Sequence, residues 1–196
     1  MRHTSYLLNF ENTLMQKLLL TSILSILGLI SLGQENPQEA AKKLGHNPYF
    51  IIDNQRAYKS DLAKYSPELI ASITVFYDTS AIKLYGDSAK DGAVIIETKT
   101  FAKTKFIAFF RESSKSFDSL YASVGTDSSF QYILNDKIKT VDYEGTLSGI
   151  SKELLIDIEI LTKEQLLERF KIEGKQFGIL IHARKPKNLY NADKKF

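Results

Sequence analysis

Asp157 and Glu159 alternate with Ile156, Ile158 and Ile160, and that period of two sets both carboxylates on one face of a strand. Carboxylates so placed are raw material for general acid and base chemistry. No histidine, third acid or metal-ligand spacing accompanies them in the sequence, so they are expected as solvated residues of an exposed face. His46 falls in a loop and His182 in the last strand, with no acidic neighbours at the spacing of a zinc site. Gly86 to Gly92 forms a glycine-bracketed loop, but it lies between a helix and a strand, and no Lys-Ser or Lys-Thr follows the second glycine; a phosphate loop needs strand, loop, then helix. Ser113, Ser114 and Ser116 occupy no glycine-flanked elbow between strand and helix, which a nucleophilic serine would require. The chain has no cysteine, which removes disulfides, thiolate metal sites and cysteine nucleophiles together. These residue types point to a non-enzymatic protein without cofactor or metal. A second reading is a small-molecule or glycan binder in which Tyr49, Tyr58, Tyr85 and Tyr132 line a cleft between two modules.

The elements that would hold these residues come in two copies. Glu68 to Tyr85 superposes on Glu153 to Phe170 without a gap, and one inserted residue then aligns Gly92 with Gly178. Each copy opens with an apolar run and a turn dipeptide: Tyr49 to Ile52 then Asp53-Asn54, and Tyr132 to Leu134 then Asn135-Asp136. Asn and Asp tolerate positive φ, so both dipeptides predict tight hairpins. Ile73, Val75 and Tyr77 alternate with polar neighbours in the first copy, as Ile156, Ile158 and Ile160 do in the second, predicting half-buried strands. Ser66-Pro67 predicts a short helical turn, Asp78 and Thr79 would cap a helix over Ser80 to Tyr85 that Gly86 ends, and Thr162 precedes a helix over Lys163 to Phe170. The closing strands, Gly92 to Ile96 and Gly178 to Ile181, are apolar on both faces and belong in the middle of a sheet; the glycine before each signals a bend or a close backbone approach. Between the copies, Phe106, Phe109 and Phe110 mark one amphipathic helix. Phe117, Leu120, Tyr121 and Val124 mark another, with Ser116 as its cap and Gly125 as its end, and this aromatic stripe is expected to pack on a sheet.

The front of the chain reads as an export signal. After Met15, Lys17 gives a short positive region, Leu18 to Ile30 an apolar stretch, and Ser31 and Gly33 the small residues of a cleavage site before Gln34. Residues 1–33 are expected to be removed, with residues 1–14 fitting no targeting pattern and Met15 the expected start. The apolar stretch is shorter than the roughly 20 residues that span a bilayer, so no membrane span is expected in the mature chain. The net charge of +3 loses Arg2 and Lys17 against Glu11 on cleavage and ends nearly balanced, naming no polyanionic partner. Nucleic acid is excluded as a partner on that balance and on the absence of a Gly-Phe-aromatic strand in Gly178 to Lys185.

Tyr49 to Asn54, Pro67-Glu68, Ile70 to Val75, Leu84-Tyr85-Gly86, Asp91 to Ile95 and Thr98-Lys99 together resemble the plug domain of TonB-dependent outer-membrane receptors. The second copy keeps Glu153, Phe170 and Gly178 but lacks Leu-Tyr-Gly, and is similar in pattern only. The resemblance implies an α+β fold of two tandem plug-like modules, residues 47–100 and 130–185, joined by a helical connector, residues 101–125, and followed by a polar tail, residues 186–196. It makes Leu84, Tyr85, Gly86, Gly92 and Gly178 shape-determining. No barrel of alternating segments and no energy-coupling segment in Gln34 to Asn47 accompanies the match, so transport is not implied. The expectation is a periplasmic or outer-membrane-associated protein whose partner is another envelope protein. Its docking surface would be the hairpins and edge strands, with Asp53, Asn54, Asn135 and Asp136 as the contact residues.

Overall fold

The computed structural model describes residues 36–185. The expected signal over residues 1–33 and the polar tail over residues 186–196 lie outside the described residues. The fold is α+β, built on two four-stranded sheets.

The first sheet is opened by α1 (Pro37–Ala41), which Asn36 caps by accepting from the Gln38 N–H with Pro37 at the first position. Strands β1 (Tyr49–Ile52) and β2 (Gln55–Ala57) form the expected hairpin. Asp53 and Asn54 both take positive φ, 51° and 64°, the twist that suits a two-residue turn between right-handed strands. Two turns of 3-10 helix lead to β3 (Ile70–Phe76), α2 (Asp78–Tyr85) and β4 (Ala93–Thr98). Helix α2 begins two residues earlier than the sequence predicts, and the position before it, Tyr77, supplies no side-chain cap. The sheet order is β2-β1-β4-β3, with β4 parallel to β1 and antiparallel to β3.

Helices α3 (Lys99–Ser113) and α4 (Lys115–Val124) follow directly, and then β5 (Phe130–Leu134), β6 (Lys137–Ile138), α5 (Glu144–Ser148), β7 (Leu155–Thr162), α6 (Lys163–Phe170) and β8 (Phe177–Ala183). The second sheet, β6-β5-β8-β7, has the same order and the same strand directions as the first. Asn135 and Asp136 repeat the positive-φ turn at 46° and 63°. A shift of register interrupts β3 between Ile70 and Ser72 and β7 between Leu155 and Asp157, the same place in each copy. The nearly unbroken apolar strands β4 and β8 lie inside their sheets, as a strand apolar on both faces must.

The structure corrects one register and one cap. Phe76 lies opposite Ala93 and Leu161 opposite Gly178, so Gly178 corresponds to Ala93 and no residue is inserted. The faces confirm it: Val94 packs toward α1 and Ile95 toward α2, while Leu180 packs under α6. Matching the glycines would turn every side chain of the strand to the wrong face. Helix α4 is capped by Ser114, not Ser116; the Ser114 Oγ accepts from the Phe117 N–H at 3.3 Å.

Each sheet is covered on both faces. One face of the first holds Phe50, Ile52, Val94 and Ile96 against Ala41 and Leu62, and the other meets α2 through Ala81, Ala89 and Ala93. The second sheet carries the larger core. Phe106, Phe110 and Phe117 of α3 and α4 pack with Leu147 of α5 on Phe130, Tyr132, Ile179 and Ile181. The rings meet edge-on or tilted, Phe106 with Tyr132 at 5.3 Å and Phe110 with Phe117 at 5.9 Å between centroids, as aromatic quadrupoles favour. The connector helices are thus part of the core of the second sheet. Among the described residues no helix is long and apolar enough to cross a membrane.

Candidate functional site

The two sheets end in equivalent edge strands, β3 and β7, with different surroundings. At β3 the shift in register turns Ala71 outward, and α5 lies directly on it: a Cβ built on Gly145 would stand 2.1 Å from the Ala71 carbonyl oxygen. Glycine is required there by the approach of one backbone to another. The junction is fastened by Glu97 of β4, which accepts from Lys105 of α3 at 2.6 Å and from the Ser148 hydroxyl of α5 at 3.1 Å. Lys99 and Asp142 add an ion pair at 2.5 Å. The Ala71 end of the first sheet's edge strand is thereby covered by α5.

Strand β7 has no such cover. No strand pairs with its outer side among the described residues, and Ile156, the counterpart of Ala71, is 57 % exposed. On the face shared with α6, Asp157 Oδ1 lies 2.5 Å from His182 Nδ1, and Glu159 receives Arg169 at 2.8 Å. The counterparts in the first sheet are Ser72, Thr74, Glu97 and Leu84, which do not repeat these pairs. Asp157 and Glu159 are exposed, as expected of a solvated face. Each has its own partner, His182 for Asp157 and Arg169 for Glu159. The sequence held no sign of the Asp157 and His182 contact, because it depends on which residues β7 and β8 set opposite one another.

The four hairpin residues do not gather into one surface patch of free polar groups. Asp53 turns back on its own sheet, accepting from the Thr98 N–H at 2.8 Å and the Thr98 hydroxyl at 2.9 Å. Thr98 in turn caps α3 by accepting from the Phe101 N–H. Asn135 does the matching work at Ala183, accepting from its N–H at 3.0 Å and donating to its carbonyl at 2.9 Å. Asn54 and Asp136, the second residues of the turns, are exposed. Among the family-motif residues, Leu84 is exposed, Tyr85 stacks on Tyr49 at 5.4 Å, and Gly86 ends α2 with φ 71°. Gly92 and Gly178 each leave no room for a Cβ, which would fall 2.7 Å from Leu44 and from Leu166 respectively.

Three of the four tyrosines considered for ligand stacking come together. Arg56 lies 3.7 Å above the Tyr49 ring and 5.4 Å from that of Tyr58, extending the Tyr85 stack into a ladder on the first sheet. Tyr132 is elsewhere, 2 % exposed within the aromatic core of the second sheet. Its hydroxyl donates to Asp127 at 3.3 Å, and Lys103 pairs with the same carboxylate at 2.7 Å. Burial, reinforced by the charge of Asp127, raises the Tyr132 phenol far above its ordinary value. Burial also opposes the Lys103 charge, but the hydrogen bond and charge of Asp127 outweigh it and raise its pKa. This network joins the start of β5 to α3 and is structural in its placement.

Comparison with protein-family models, with curated proteins and with solved structures finds no match for this chain.

Proposed function

We propose that the chain is an exported, non-enzymatic, plug-like interaction module that binds another envelope protein by accepting an extended segment along β7. The observation that carries this reading is the unequal fate of two equivalent edges. α5 of the same chain lies on β3 at Ala71, whereas at the equivalent point of β7 Ile156 is exposed beside an unpaired edge. An edge strand presents unsatisfied backbone groups, and a partner that supplies a strand gains main-chain hydrogen bonds along with side-chain pockets at alternate positions. The export pattern before Gln34 and the resemblance to receptor plug domains support an envelope address. Asn54 and Asp136, exposed at the hairpin tips, are a secondary contact in this reading.

The test replaces Ile156 with a photo-crosslinking residue in cells. Adducts to one defined envelope protein are expected from Ile156, lost when Ile158→Pro removes an outward-facing backbone donor (its neighbour Glu159 pairs with Leu180 inside the sheet), and retained with Asn54→Lys. Adducts that persist unchanged in the Ile158→Pro chain, or none at Ile156 with abundant adducts at Asn54, contradict the proposal.

A further inference from the structure

The two copies also differ at the far end of the sheet face that carries the larger core. In the first sheet that end is closed, with Ile52 and Ile70 only 5 % and 6 % exposed. Their counterparts in the second, Leu134 and Leu155, are half-exposed. The space left there is a groove of about 470 Å³, inside the roughly 300–1,000 Å³ span of small-molecule sites. Its walls are Leu134, Ile150, Leu154 and Ala183, with Thr146 of α5 and Gly149 just after it along one side. Arg184 and Lys185 stand at its rim, no acidic side chain lines it, and neither cation has an ion pair among the described residues. Arg184 is held in place, its backbone N–H donating to the Leu154 carbonyl at 2.8 Å and its guanidinium to that of Glu153 at 3.0 Å.

We infer that this groove binds a single-chain amphiphile with an anionic head, a fatty carboxylate being the simplest member. The apolar walls would take the chain, since an open apolar surface gains by exclusion of water. The paired cations would take the head, because a carboxylate accepts charge-assisted hydrogen bonds from guanidinium and ammonium groups. The site lies wholly within the second sheet and its helices, apart from the outer side of β7, so it stands or falls independently of strand docking. It also differs from a cleft between the modules, since every lining residue comes from Leu134 onward.

Calorimetric titration of the full chain with dodecanoate, below its micellar concentration, tests the inference. One equivalent is expected to bind. Thr146→Trp, which fills the groove from an exposed position on α5, is expected to abolish binding with the circular dichroism spectrum and thermal transition retained. Arg184→Gln with Lys185→Gln is expected to weaken it roughly tenfold, and dodecyltrimethylammonium, of the same length and opposite charge, is expected not to bind. If Thr146→Trp fails to fold, Leu154→Glu serves as the second blocking variant. Dodecanoate binding untouched by both blocking variants, equal binding of the cationic amphiphile, or no binding at all overturns the inference. So does binding to phosphatidylglycerol vesicles in place of the monomeric carboxylate, or a doubling of mass by light scattering that Leu154→Glu reverses, which would assign the groove to a bilayer or to a second copy.

Discussion

The two halves of this molecule share strand order, turn conformation and even the position of the break in their edge strands, yet they are stabilised and exposed differently. The first sheet borrows its cover: alanines let α2 lie close on one face, and α5 of the second half of the chain lies on its edge strand at Ala71. The second sheet is self-sufficient in core, with an aromatic cluster contributed by α3, α4 and its own strands, and bare at the equivalent edge. A duplicated unit that docks on its sibling solves the edge-strand problem once, and leaves one edge over. That leftover edge is where the proposed function is placed.

The difference in cores can be broken most heavily at Phe110, which is fully buried between α3 and the second sheet. Phe110→Ala is expected to cost about 3–5 kcal/mol, seen as a lowered urea midpoint, and to exceed the loss from Leu62→Ala in the smaller core of the first sheet. Equal losses would mean that the two halves do not differ in the way described. Next is the junction itself. Gly145→Val drives a branched side chain into the Ala71 carbonyl and is expected to cost about 3 kcal/mol. Gly149→Ala, four residues on, meets only a 3.3 Å neighbour and should change stability far less.

The hairpins sharpen the comparison by exchange. Asp53 receives two hydrogen bonds from Thr98, so Asp53→Asn keeps the turn and the N–H acceptor but loses the charge, at an expected cost of about 1 kcal/mol. Asn135→Asp loses its donated bond and sets a carboxylate against the Ala183 carbonyl, with a similar or larger cost. Denaturant titration of each swap reads both. Alkaline pH acts on the buried Tyr132 and Lys103 network of the second sheet. Tyr132 and Lys103 have folded pKa values above their ordinary 10.0 and 10.5, so the stability they contribute is whole below about pH 10 and is lost as pH rises. Urea titrations at about pH 8 and about pH 11 should show a smaller decline in Tyr132→Phe than in the parent chain; an equal decline would contradict the assignment.

Much of this fold was legible from residue patterns with short-range causes. Asp53-Asn54 and Asn135-Asp136 announce positive-φ turns, continuous apolar runs announce central strands, and Thr162 with Gln165 caps α6 by bonds that reach only three residues. The stripe of Phe117, Leu120 and Tyr121 announced a buried helix face, and all three join the second core. The misreadings share a cause as well. Equating Gly92 with Gly178 followed residue identity where alternation governs, and a slip of one residue reverses inside and outside. The candidate site was less legible, because what distinguishes it is long-range. Gly145 in Glu144-Gly145-Thr146 carries no mark of the carbonyl it must clear, and the pairing of Asp157 with His182 is decided by strands 25 residues apart. Turn residues read as contacts, Asp53 and Asn135, proved to be committed to their own sheets, for the same reason that made them good turn formers: short side chains that reach nearby backbone.

Hydrogen exchange on the full chain, resolved over residues 70–74 of β3 and 155–159 of β7, compares the two edges directly. Protection near that of the central strands is expected at β3, with exchange on the order of a hundredfold faster at β7 that slows when the crosslinked envelope partner is added. Equal protection of both edges in the isolated chain, or a β7 indifferent to that partner, would contradict the claim that one copy's edge is filled and the other's is kept for docking.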